Sequence, residues 1–151
     1  MVNFSLDDRQ LRSVFTNLER PTAPLMKAIA NYLDGEARTA IKTETSPDGS
    51  KFAALNPKYA ARKAKDKRTR RNGILQQSGQ MLDSISVEST ATTVTLKTNR
   101  PVSGGYELGS IHQFGTRRIP ARPFFPIDAQ GDLLQDTLEE INSLIRDYFS
   151  L

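Results

Sequence analysis

Ile85-Ser86-Val87-Glu88-Ser89-Thr90-Ala91-Thr92-Thr93-Val94-Thr95-Leu96-Lys97 is the stretch whose reading decides the fold. Ile85 and Val87 alternate with Ser84, Ser86 and Glu88, and Val94 and Leu96 alternate with Thr93, Thr95 and Lys97. A period of two on both sides of a short Thr-rich break predicts a β-hairpin with one buried face. A hairpin with one apolar face needs something packed on it, and the flanking sequence offers helices.

Upstream, Leu25, Ile29, Leu33, Ala37 and Ile41 fall four apart, predicting a long helix over about Ala23–Thr43, with Met26, Tyr32 and Ala40 widening the stripe. Gly35 stands mid-helix, where close packing against another backbone is the expected use. Ser46-Pro47-Asp48-Gly49 ends that helix in a turn. A shorter helix is expected over about 6–19, opened by Ser5 with Asp8 in a capping-box position. Asn56 and Pro57 can open another short helix, and Ser78 a single helical turn before the hairpin.

Downstream, Asn99-Arg100-Pro101 and Ser103-Gly104-Gly105 mark turns, and Tyr106 to Phe114 reads as a short helix or turn stopped by Gly115. Ile119 to Ile127 is expected to be extended, its prolines suiting a sheet edge. Phe124 and Phe125 should then point to opposite faces, one into the core and one toward a partner. Asp132 can cap a last helix lined by Leu134, Leu138, Ile141, Ile145 and Tyr148. The order predicts an α+β fold: a small antiparallel sheet packed against a long helix and a C-terminal helix, in a single domain over 1–151.

Charge is unevenly spread over the 151 residues. From Lys51 to Arg71 nine basic residues meet one acid, Asp66, for +8, whereas the remainder holds twelve basic and sixteen acidic residues, for −4. Lys65 to Gly73 has no apolar residue to bury, so a mobile basic loop is expected over about 48–73. Its cations Lys58, Arg62, Lys63, Lys65, Lys67, Arg68, Arg70 and Arg71 are candidates for contact with an acidic partner or with DNA. No aromatic residue lies between Lys63 and Arg71 to stack bases. A nucleic-acid-binding protein using segment 51–71 is therefore the alternative reading, and a solvated loop the plainest one.

The inventory for catalysis is thin. There is no cysteine and one histidine, His112, so a conventional zinc site and thiol chemistry are not expected. No triad motif surrounds His112, Gly104-Gly105 and Gly109 match no phosphate-binding fingerprint, and no carboxylate cluster suggests magnesium. The expectation is a protein that is not an enzyme, with no catalytic residues, no metal and no cofactor. Neither a secretion signal nor an apolar run long enough for a membrane helix is seen.

Three stretches together carry a resemblance. Gly109-Ser110-Ile111-His112-Gln113-Phe114-Gly115-Thr116 is followed closely by Ile119-Pro120-Ala121-Arg122-Pro123-Phe124-Phe125. Leu75-Gln76-Gln77-Ser78-Gly79-Gln80-Met81-Leu82-Asp83-Ser84-Ile85 leads into the hairpin, and Leu55-Asn56-Pro57-Lys58-Tyr59 opens the basic segment. These resemble the phage virion morphogenesis family, the tail-completion proteins of Mu-like and related tailed phages. Met81 stands where the family pattern has leucine, and Phe52 is the nearest aromatic where many relatives carry tryptophan. The resemblance implies a structural protein that completes the tail and joins it to the head. It implies a hexameric ring of copies of this chain, contacts with tail-tube and neck proteins, and a place in the virion after assembly in the host cytoplasm.

His112, Phe114, Gly115, Arg122, Phe124 and Phe125 are the candidate assembly interface, with hairpin 84–97 and strand 119–127 as candidate subunit contacts. Arg122 offers a bidentate donor fork. Core positions are the expectation for Phe114 and one of the two phenylalanines, while core and interface remain open for His112.

Overall fold

The computed structural model describes the backbone of residues 3–6 and, in full, residues 21–69, 71–100 and 107–149. Its centre is the expected hairpin, β2 (Ile85–Ser89) and β3 (Val94–Thr98), paired antiparallel with Val87 opposite Leu96. The Thr90 hydroxyl closes the turn by accepting from the N–H groups of Thr92 and Thr93. A third strand, β1 (Asn3–Leu6), pairs antiparallel with the other side of β3, giving the order β1-β3-β2. Ser5 and Leu6 were expected to open a helix and are strand residues instead; the rest of that helix, 7–19, lies outside the described residues.

Helix α1 (Ala23–Thr43) lies on this sheet with Leu25, Met26, Ile29, Ala30, Leu33, Ala37, Ala40 and Ile41 buried. Pro24 in its first turn costs no intrahelical hydrogen bond. Gly35 departs from expectation. It faces outward, and a Cβ added there would meet nothing within 4 Å, so no backbone packs against it. Glu44 ends the helix in the left-handed conformation at φ 54°, its N–H donating to Ala40 O. The Ser46–Gly49 turn then forms as expected, with Gly49 N–H donating to Ser46 O at 2.9 Å.

Helix α2 (Pro57–Lys65) starts where Asn56 accepts from the N–H of Lys58 and Tyr59. A single turn, α3 (Gln80–Asp83), leads into β2, and α4 (Leu108–Phe114) stops at Gly115. Helix α5 (Gln135–Phe149) closes the chain against α1, burying Thr137, Ile141, Ile145 and Phe149. The buried face is thus rotated from the expected stripe, and Leu138 is only half-buried. Asp132 is not its cap: the helix begins at Gln135, and Asp132 N–H donates to the Asp128 carboxylate, which also accepts from Gln130. The arrangement is α+β, with one apolar core shared by α1, the hairpin and α5, to which Phe52, Met81, Leu82, Phe124, Phe125 and Ile127 also belong. Among the described residues no helix is long and apolar enough to cross a membrane.

Residues 119–127 do not form the expected edge strand. Pro120, Pro123 and Pro126 have no N–H to give a ladder, and only Ile127 makes an isolated bridge, to Leu133. The chain here is instead tied down by side chains from elsewhere. Phe124 and Phe125 do not alternate outward and inward; both are fully buried, with ring centroids 4.7 Å apart at 59°.

Candidate functional site

The site is the corner where α4 and segment 115–127 meet the region around α2. It begins at the end of β3. Thr98 is fully buried and donates its hydroxyl to Glu107 Oε1 at 2.7 Å. Glu107 Oε2 accepts from Ser110 N–H at 2.8 Å, so this carboxylate caps α4 and fastens it to the sheet. These bonds hold the carboxyl below its ordinary value, although burial acts the other way. Gly109 is required here, since a Cβ would lie 2.1 Å from the Thr98 hydroxyl.

Helix α4 turns Gln113 inward, where it is 2% exposed. Its Oε1 accepts from Phe124 N–H at 3.1 Å and Phe125 N–H at 2.9 Å, and its Nε2 donates to Phe125 O. One amide therefore does for the Pro-rich segment what a neighbouring strand would have done. His112 O accepts Arg122 N–H at 2.7 Å. Gly115, at φ 73°, turns the chain so tightly that a Cβ would lie 2.7 Å from Ala121 N.

The Arg122 fork is used inside the protein. Nε donates to Ala53 O at 2.7 Å and Nη2 to Ala54 O at 3.0 Å, and the residue is 5% exposed. On the α2 side Lys63 is 4% exposed, with Nζ donating to Asn72 O and Gly73 O. Burial lowers its pKa, against the pull of the Glu44 carboxylate. Thr69 donates to Lys63 O, Glu44 accepts from Ile74 N–H, and Gln76 donates to Ile41 O at the end of α1. The basic run 65–73 is thereby anchored at both ends.

Of the expected interface residues, Phe114 is the outward one at 47% exposure, although a core position was expected. Phe124 and Phe125 are fully buried, so in this fold neither offers a surface to a partner, and Arg122 is 5% exposed with its fork on Ala53 and Ala54. His112 and Gly115 are both half-buried. Burial, reinforced by the nearby Arg122 cation, depresses the His112 pKa to about 4, with Glu107 opposing, so the imidazole is neutral at physiological pH. Lys58, Arg62, Lys65, Lys67, Arg68 and Arg71 are exposed as expected, and Arg70 lies outside the described residues. Lys63 is the exception among the cations, because its ammonium is spent on backbone carbonyls. Arg62 stacks 5.4 Å over Tyr59, and Arg68 pairs with Asp66 at 3.1 Å.

A model of the phage virion morphogenesis family matches residues 6–150. The chain belongs to that family. No curated protein and no solved structure gave a significant match. Membership makes this a phage structural protein of virion assembly, and the motif that carried the resemblance is the corner described above. In this family member Gln113 and Glu107 are the residues that sequence reasoning missed. Gln113 sits inside the quoted motif, between the histidine and the phenylalanine, and was the available signal. Glu107 had none, since glutamate is not among the favoured capping residues.

Proposed function

We propose that this chain completes the phage tail and joins it to the head, working as a ring of identical subunits that meets tail-tube and neck proteins. The family match over residues 6–150 carries this reading. A ring must be built from head-to-tail contacts that close, so each subunit needs two different complementary surfaces. The sheet supports this: β3 is central, which leaves β1 and β2 as edges, and among the described residues neither outer edge pairs with a further strand. The charge distribution supports it too. Lys58, Arg62 and Lys65 are exposed on α2, whereas Asp136, Glu139, Glu140 and Asp147 mark the outer side of α5.

Segment 119–127 cannot add a strand to a neighbour, so Phe114 and the sheet edges are the contacts this reading requires. The test is the mass of the protein in solution over a concentration series at low and high salt. Growth that stops at a hexamer is expected. Growth that stops at a two-fold dimer, or runs on into open fibres, overturns the ring.

A further inference from the structure

A cleft of about 480 Å³ runs between α2 and the α4 corner. Its lining includes the cations Lys63, Arg100, Arg118 and Arg122, and among the described residues no carboxylate lines it. Its apolar lining is Leu55, Ile74, Leu75, Met81, Leu108 and Ile119. Two of the four cations are themselves buried, Lys63 at 4% and Arg122 at 5% exposure. Both are satisfied only by backbone carbonyls, Asn72 and Gly73 for one, Ala53 and Ala54 for the other.

Buried charges in folded proteins are normally paired, because a lone one loses its hydration without compensation. Among the described residues neither Lys63 nor Arg122 has a carboxylate within ion-pair distance, and Arg122 Nη1 makes no hydrogen bond. Glu44 acts on Lys63 only through space, from outside the cleft. His112, also in the cleft wall, has its Nδ1 buried with no hydrogen-bond partner. Two buried cations, Lys63 and Arg122, and the exposed Arg118 thus line one cavity in which no described residue supplies an anion.

The apolar wall selects among anions. A DNA backbone would meet the exposed cations on the outer side of α2 and would have no use for Leu55, Leu75 or Ile119. A carboxylate next to an aliphatic side chain uses both kinds of lining residue at once. We infer that this cleft binds an acidic peptide segment of a partner protein, a carboxylate facing Arg118 and Arg122 and a neighbouring aliphatic side chain lying against Leu55, Leu75 and Ile119. The site is independent of whether the ring forms in solution.

The one histidine of the chain is a built-in reporter, since its ring lies in the cleft wall. The experiment follows the His112 ring resonances of the full chain during titration with capped peptides that combine leucine or isoleucine with aspartate and glutamate. Twins with asparagine and glutamine, inorganic phosphate and a short DNA duplex are the comparison probes. Saturable shifts with the acidic peptides are expected, weakened about tenfold in the amide twins and in Arg118→Glu. Arg118 is exposed, so that variant keeps the fold.

Absence of any shift, or amide twins that bind as well as the acids, overturns the proposal. Phosphate or DNA binding at His112 as tightly as the peptides overturns it in favour of a plain phosphate site. Failure of the ring is read separately, from the solution mass.

Discussion

The two halves of the molecule are held together by different physics. In one half α1, the hairpin and α5 bury aliphatic and aromatic side chains against one another, and their backbone groups are satisfied within helices and strands. In the other half, residues 44–77 and 107–127, much of the backbone is irregular. There Glu44, Lys63, Gln76, Gln113 and Arg122 each reach across to hold main-chain groups of another segment, and Glu107 holds the N–H groups of Arg100 and Ser110. A chain that forms no ladder must still satisfy its buried N–H and C=O groups, and polar side chains are the available substitute. Such a region is specified by a handful of hydrogen bonds together with the few side chains it lends to the core, Phe52, Phe124, Phe125 and Ile127. It can therefore carry a cleft, which a close-packed core cannot.

The comparison can be broken most directly by one substitution in each half. Leu33→Ala, at a fully buried position of α1, should cost about 2–5 kcal/mol and raise hydrogen exchange throughout the sheet and α1. Gln113→Leu keeps the volume but strands two buried N–H groups, and should cost roughly 2–4 kcal/mol. Its added exchange should concentrate in 107–127 and leave α1 and β3 protected. Equal spreading of both effects would mean the halves do not differ as described.

A smaller effect comes from His112. Its folded pKa of about 4 lies below the ordinary 6.5, so the folded state binds fewer protons than the unfolded one between those values. Stability is fully present above pH 6.5 and is lost as pH falls toward 4, by roughly 2–3 kcal/mol after allowing for partial solvent screening. Denaturant unfolding across that window should show the slope, and His112→Gln should remove that part of it. The smallest effect belongs to the packed half. Gly35→Ala places a methyl in open space on the outer face of α1 and should stabilise by about 0.5–1 kcal/mol, read as a raised melting temperature.

The sequence by itself determined α1, the hairpin and the start of α2, but neither β1 nor the cap and buried stripe of α5. The period of four fixed α1 at Ala23–Thr43, the period of two fixed the hairpin, and Asn56-Pro57 fixed the start of α2, because burial patterns and capping chemistry are local properties of the chain. The motif around His112 was also visible, and so was the family.

What the residues of that motif do was decided by tertiary structure. Phe114 and Phe125 look alike in sequence, yet one is exposed and the other fully buried, because Gln113 and the prolines set the path of the segment. Arg122 and Lys63 read as surface cations, and each is buried where it donates to carbonyls nine or more residues away. The pairing of β1 with β3 joins residues some ninety apart. A period or a cap is written within a few neighbouring residues. The partner of an irregular backbone group is chosen only when distant segments meet, and that choice made the corner and its cleft.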